Sequence, residues 1–179
     1  MATGHGHLAQ GFPQRWNALD EESKSILPAH IIAFGEKLAN GDSEIFFSRW
    51  SATPHTLTHG DYHFRNTLFA SPEGSLLAVV DWSNLGVSPG STGLSYFVTH
   101  SLASAVRNEH ERDLVHLYYE TLRNCGVSQY DFDTCWDEYR LWALDIGMLW
   151  ATIPAEGRAY IGIWDTLTIM DLNPEELVL

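Results

Sequence analysis

The chain has 179 residues, enough for one ordinary domain or for one lobe of a two-lobed protein. Hydrophobic residues make up 45% and charged ones 18%, a balance that buries a core and excludes disorder by composition. The 10 Lys+Arg against 23 Asp+Glu leave a net charge of −13, which argues against a nucleic-acid partner bound by phosphate neutralisation.

No apolar run reaches the roughly 18–20 residues of a membrane span, so no membrane partner is expected. The opening MATGHGHLAQG has neither a basic nor an apolar signal-peptide region. Cys125 and Cys135 are too few for a disulfide scaffold and lack metal-ligand spacing. They read as reduced thiols, and the expected location is cytoplasmic.

Residues 1–18 are rich in Gly, His and Gln and only weakly periodic, and read as a flexible leader. From Leu19 to Trp50 the pattern is helical. Asp20 precedes Glu21 and Glu22, an acidic start suited to a helix N-terminus. Pro28 interrupts, and Ile31, Ile32, Phe34 and Leu38 then form an apolar stripe. Asn40-Gly41-Asp42 is a stop, and a short helix carrying Ile45, Phe46 and Trp50 runs on to Pro54. Thr56–Thr58 reads as a strand. Asn66–Phe69 and Leu76–Val80 read as a hairpin around the turn Ser71–Gly74. Gly86 to Gly93 reads as a loop. Helices are predicted around Leu94–Ala105, Leu114–Leu122 with Gly126 closing it, and Phe132–Trp150 capped by Asp131 or Asp133. A last helix is predicted over 158–170. The expected fold is mainly α with a small β-hairpin element.

The chemistry-bearing stretch is His59-Gly60-Asp61-Tyr62-His63-Phe64-Arg65-Asn66, followed after an apolar strand by Asp81-Trp82. Asp61 and Asn66 lie at the two ends of one loop, and Asp81 ends the partner strand of the hairpin. A hairpin brings its far ends together, so Asp81 can face Asn66. An amide oxygen and a carboxylate are hard ligands of the kind Mg²⁺ accepts. Asp61 is then placed to take a hydroxyl proton. Together these are the parts that phosphoryl transfer needs.

At these residues the chain resembles the aminoglycoside phosphotransferase and choline kinase-like family, a branch of the protein-kinase-like fold. The pattern H-G-D-x-x-x-x-N with a later D-W is present as HGDYHFRN and VVDW. GVSPGSTGLSYFV resembles the Gly-Pro-rich loop that leads into a D-L-A-x-F helix. FDTCWDEYRLWAL is similar to a helical region common in that family, and the resemblance spans roughly residues 28–150. It implies an α+β kinase-like C-lobe over residues 19–179, with a catalytic loop at 59–66 and a helical remainder at 92–171. By resemblance, Asp61 is the catalytic aspartate, Asn66 and Asp81 are metal ligands, and His59 shapes the loop. The implied reaction moves the γ-phosphoryl of ATP, with Mg²⁺, to a hydroxyl of a small molecule such as an aminoglycoside or choline.

Two features depart from the family's pattern. The 58 residues before His59 read as helix, with Lys24 and Lys37 in solvated positions and no glycine-rich loop. An N-lobe is therefore not seen, and nucleotide binding by the chain alone is expected to be weak. Gly93 stands where the family has the D-L-A-x-F aspartate. A missing lobe would expose apolar residues near the cleft floor, among them Leu68, Phe69 and Leu85. An N-lobe-bearing partner, self-association, or the leader folding against the cleft would then cover them.

Other readings are weighed against this one. The alternation His59, Asp61, His63 fits a metal-dependent hydrolase if it lies on one strand face. A non-catalytic remnant with a fossil site is a further alternative. Trp82, Trp136, Trp142 and Trp150 are read as ordinary core ahead of an aromatic wall for a cation. The acidic residues from Glu109 to Glu138 are read as solvated faces and caps ahead of a pocket for a cationic substrate.

Overall fold

The structure, a computed structural model, describes residues 8–42 and 44–153. The predicted helix over 158–170 lies outside the described residues.

The first difference from the sequence reading is at the N-terminus. Residues 8–18 of the expected leader form helix α1 (Leu8–Ala18). Its Phe12 and Trp16 stack at 5.6 Å and are fully buried. They pack with Ile31 and Phe34 of α3 (Ala29–Lys37) and with Trp142 and Met148 of α7 (Phe132–Ala151). The burial of two large rings is the physical reason that this weakly periodic stretch is ordered.

Between α1 and α3 lies α2 (Glu21–Ser25), capped as expected: the Ser23 N–H donates to Asp20 Oδ1 at 2.8 Å. After α3 a widened turn over Leu38–Asp42 breaks at Gly41, where φ is 127°, and α4 (Glu44–Ala52) follows.

The β element is two separate antiparallel pairs. Strand β2 (Thr67–Phe69) pairs with β3 (Leu76–Val79), as the hairpin pattern predicts, with an irregularity between Leu68 and Phe69. Strand β1 (His55–Thr58) pairs with β4 (Gly86–Pro89), His55 opposite Pro89 and Thr58 opposite Gly86. The expected loop from Gly86 to Gly93 is thus corrected: its first half is β4 and its second half opens α5 (Gly90–Ser101).

Helix α6 (Ser104–Asn124) ends at Gly126, whose φ of 96° needs glycine. Helix α7 is capped by Asp131, whose Oδ1 accepts the Thr134 N–H at 2.8 Å. Leu141, Trp142, Leu144 and Met148 of α7 join the core with α1 and α3, while its Cys135 and Tyr139 join a second core with Val98 of α5 and Val115 of α6. Helix α7 is therefore the shared spine of both. Among the described residues no helix is long and apolar enough to cross a membrane. The mostly helical chain with its small antiparallel β element is compatible with a kinase-like C-lobe.

Two helical glycines predict opposite outcomes. A Cβ at Gly35 would stand 2.2 Å from the Trp16 ring, so α1 and α3 meet there because no side chain intervenes. Gly35→Ala is expected to destabilise by about 1–3 kcal/mol through overpacking, in spite of better helix propensity. A Cβ at Gly93 meets nothing within 4 Å. Gly93→Ala is expected to stabilise by about 0.5–1 kcal/mol. Urea unfolding of the two variants checks the contrast of sign.

Candidate active site

The site is the loop between β1 and β2, and its shape is set by its own short-range bonds. His59 is buried; its Nε2–H reaches the Val80 carbonyl at 2.9 Å, and its Nδ1 accepts the Asp61 N–H at 3.3 Å. One ring nitrogen thus ties the loop to the strand that leads to Asp81, and the other braces the loop on itself. The His59 ring also lies 4.5 Å from the Trp82 ring. Gly60 has φ of 81°, and a Cβ there would stand 2.1 Å from the Asn84 carbonyl oxygen. Glycine is the residue that fits this backbone and this close approach.

Asp61 and Asn66 meet across the loop. The Asn66 Nδ2 donates to the Asp61 carbonyl at 2.9 Å and to its Oδ2 at 3.3 Å. The Tyr96 hydroxyl, from α5, donates to Asp61 Oδ1 at 2.8 Å. His63 Nε2 lies 3.4 Å from the same oxygen. The loop is tied to the far end of α5 as well, where Ser101 Oγ accepts the Phe64 N–H at 2.9 Å.

Asp81 sits just beyond the ladder. The Val80 N–H donates to the Asn66 carbonyl at 2.9 Å, which continues the β2–β3 pairing by one step and sets Asp81 next to that junction. Asp81 has φ and ψ of 61°, and it is the one non-glycine residue with positive φ among the described residues. Left-handed backbone costs an ordinary residue roughly 1–2 kcal/mol, and Asp is among the few that tolerate it. Its Oδ1 accepts the Ser83 hydroxyl at 2.6 Å. That bond and the Ser83 N–H hold the carboxyl below its ordinary range, with smaller help from His59 and His63.

The structure brings Asp61 and Asn66 into direct contact and sets Asp81 one residue from the Asn66 backbone partner. It does not support His59, Asp61 and His63 as a metal-hydrolase set. The two bonds to His59 leave it no nitrogen for a metal, and the loop is not a strand that would align the three. Among the described residues no group of three or more His, Cys, Asp or Glu is arranged to hold a metal ion.

Tyr96 is the site residue that sequence reasoning missed. The signal was the spacing of Thr92, Tyr96 and His100, four residues apart along one face of α5. The other candidates do not gather. Trp142 is in one core, Trp136 packs at the second against Tyr139, and Trp82 is exposed. Glu138 accepts the Tyr130 hydroxyl at 2.6 Å and Glu111 the Tyr139 hydroxyl at 2.9 Å, so these carboxylates brace helices. Cys125 and Cys135 are both free thiols, and burial pushes that of Cys135 up to about 11.

The model of the ecdysteroid kinase-like family matches residues 11–128, well over half of the chain. The chain belongs to this family. No curated protein and no solved structure matches the chain. The matched span takes in most of α1, then α2 through α6, both strand pairs and all of His59, Asp61, Asn66 and Asp81. Ecdysteroid kinase-like proteins are relatives within the protein-kinase-like superfamily, so the broad kinase-like relationship read from HGD-x4-N holds. The aminoglycoside phosphotransferase and choline kinase-like family is not the one that matched. The match begins inside α1.

Proposed function

We propose that the chain is a phosphotransferase domain that moves the γ-phosphoryl group of ATP to a hydroxyl of a small molecule. The observation that carries the reading is the hydrogen-bonded pair Asp61–Asn66 at the foot of the β2–β3 ladder, whose other strand runs into Asp81. Membership of the ecdysteroid kinase-like family supports the reaction class and makes an ecdysteroid alcohol the first acceptor to test. Choline and aminoglycosides are the next.

The donor set fits a divalent cation. With the Asn66 amide nitrogen committed to Asp61, the amide oxygen is the atom left to face a metal. Asp81 offers an exposed carboxylate kept in its charged form, with Ser83 holding one oxygen. Asn66 and Asp81 would hold Mg²⁺, which when bound neutralises the charge of the phosphate oxygens. Asp61 orients the acceptor hydroxyl and takes its proton as the new O–P bond forms and the bond to the departing nucleoside diphosphate breaks. Tyr96 fixes the carboxylate that does this. Hard oxygen ligands together with a proton acceptor a few residues away favour this chemistry over hydrolysis at zinc.

A second reading, a non-catalytic module with a fossil site, has one observation in its favour. Leu57 of the β1–β4 pair and Leu77 of the β2–β3 pair are 70% and 67% exposed, and Phe64, Leu68, Trp82 and Leu85 in and around these strands are exposed too. Such exposed apolar residues fit an N-lobe-bearing partner or a second copy as their cover. Calorimetry with Mg-ATP, followed by phosphate transfer to the three acceptor classes, separates the readings. For the chain by itself the expected dissociation constant is on the order of mM, because the residues before His59 offer no glycine-rich phosphate loop and their lysines, Lys24 and Lys37, lie on helices. Transfer to one acceptor supports the enzyme. Absence of both metal-nucleotide binding and transfer, also when an N-lobe is supplied, sinks it.

A further inference from the structure

Beside the loop lies a cavity of about 10 Å³, room on the order of one water. Gly60 and Tyr62 line it from the loop, Gly93 and Tyr96 from α5, and Trp142 and Asp145 from α7. Two of these, Trp142 and Asp145, carry buried polar groups. The Trp142 Nε1–H is buried and has no hydrogen-bond partner among the described residues. Asp145 is 7% exposed and stands within an unbroken buried stretch of α7, Leu141–Met148. Burial pushes its carboxyl well above the usual carboxylate range, and the charge of Arg15 on α1 opposes that only in part. A buried carboxyl and a buried unpaired N–H are each costly. Both at one small cavity next to one loop point to a shared task. Packing alone would have been served better by an apolar residue at position 145.

We propose that Asp145 is a positioning residue: it steadies the His59–Asn66 loop, whose Gly60 and Tyr62 line the same cavity, through a water that it shares there with the Trp142 Nε1–H. A buried carboxyl, a buried N–H and room on the order of one molecule suit such a water. The loop half of the site is thereby tied down from both helices, by the Tyr96 hydroxyl from α5 and by Asp145 from α7. Gly93 gives the means to test it. Its missing side chain opens on the same cavity, and a Cβ there meets nothing within 4 Å. A carboxylate can therefore be moved from one wall of the cavity to the other. The inference rests on the phosphotransferase reading only for what the loop does, because the order of the loop is measured without turnover.

The experiment is amide hydrogen exchange on the full chain. In Asp145→Ala, exchange over residues 59–66 should rise roughly tenfold, while α6 stays as in the wild type. In the swap Gly93→Asp with Asp145→Ala, exchange over 59–66 should return towards the wild-type rate. Gly93→Asp alone should lower the thermal midpoint, since it sets two carboxyls in one small space. Unchanged exchange over 59–66 in Asp145→Ala overturns the proposal. So does a rise that extends through α6 and is not reversed by the swap. If Asp145→Ala does not fold, Gly93→Asp alone decides: a lowered midpoint supports the shared cavity, and an unchanged one overturns it. The expected exchange pattern together with no phosphate transfer by any variant would sink the phosphotransferase reading and leave this inference standing.

Discussion

Asp61→Asn is expected to lower turnover by roughly 10²–10⁴-fold, the range that a positioned proton acceptor contributes. The substitution keeps the shape of the side chain and removes its basic oxygen. The surroundings tolerate the exchange: the Tyr96 hydroxyl, 2.8 Å from Oδ1, can turn to accept where it now donates. The thermal midpoint and the KM for the nucleotide should therefore change little, while kcat falls. That split is what separates a chemical role from a structural one. Tyr96→Phe removes one of the bonds to the Asp61 carboxylate and leaves the carboxylate in place. Its turnover should fall by about tenfold, a smaller loss than that of Asp61→Asn. Turnover of the Asp61→Asn variant at the wild-type rate would remove Asp61 from the mechanism. A variant with low turnover and a much lower midpoint would show that the side chain serves the fold first.

The two sides of this site differed in how legible they were. His59, Gly60, Asp61 and Asn66 fall within eight consecutive residues, and their bonds to one another are local. A spacing pattern records such bonds directly. Asp81 was legible too, because a hairpin carries its own register: the β2–β3 pairing extends by the Val80–Asn66 bond and delivers the next residue. Tyr96 bonds to the loop from α5 and Asp145 lines a cavity beside it from α7, and no local pattern links either helix to it. In the sequence each is one polar residue in a helix. The β1–β4 pair failed for a related reason. Gly86-Val87-Ser88-Pro89 has turn composition, and it is a strand because Thr56, Leu57 and their neighbours offer it a partner. Pro89 is tolerated at the end of that ladder, where a missing N–H costs little.

Helix α1 was illegible because its local preferences are poor. It has Gly11 and Pro13 inside it, and neither favours a helix. Its order then has to come from burial, and Trp16 is the residue on which most of that burial rests. The ring is fully buried, stacks on Phe12 and fills the space that Gly35 leaves open. Its Nε1–H donates to Glu36 Oε1 at 2.9 Å, and Lys24 Nζ lies 5.2 Å from the ring centre. Trp16→Ala is thus expected to destabilise the chain by about 3–5 kcal/mol, the range for deleting a large buried aromatic. That is about a fifth or more of the stability of an ordinary domain of about 5–15 kcal/mol. The loss should appear in urea unfolding as a lower midpoint with a similar slope, since the fold itself is retained. Trp16→Phe should lose less, because it keeps the stacking on Phe12. The two variants together isolate what the helix contributes. A loss under about 1 kcal/mol in Trp16→Ala would mean that α1 lies on the domain as an accessory, because deletion of a core ring cannot be that mild. The larger loss would establish α1 as one wall of the core that α7 shares with the second cluster, and so as part of what holds Asp145 beside the loop.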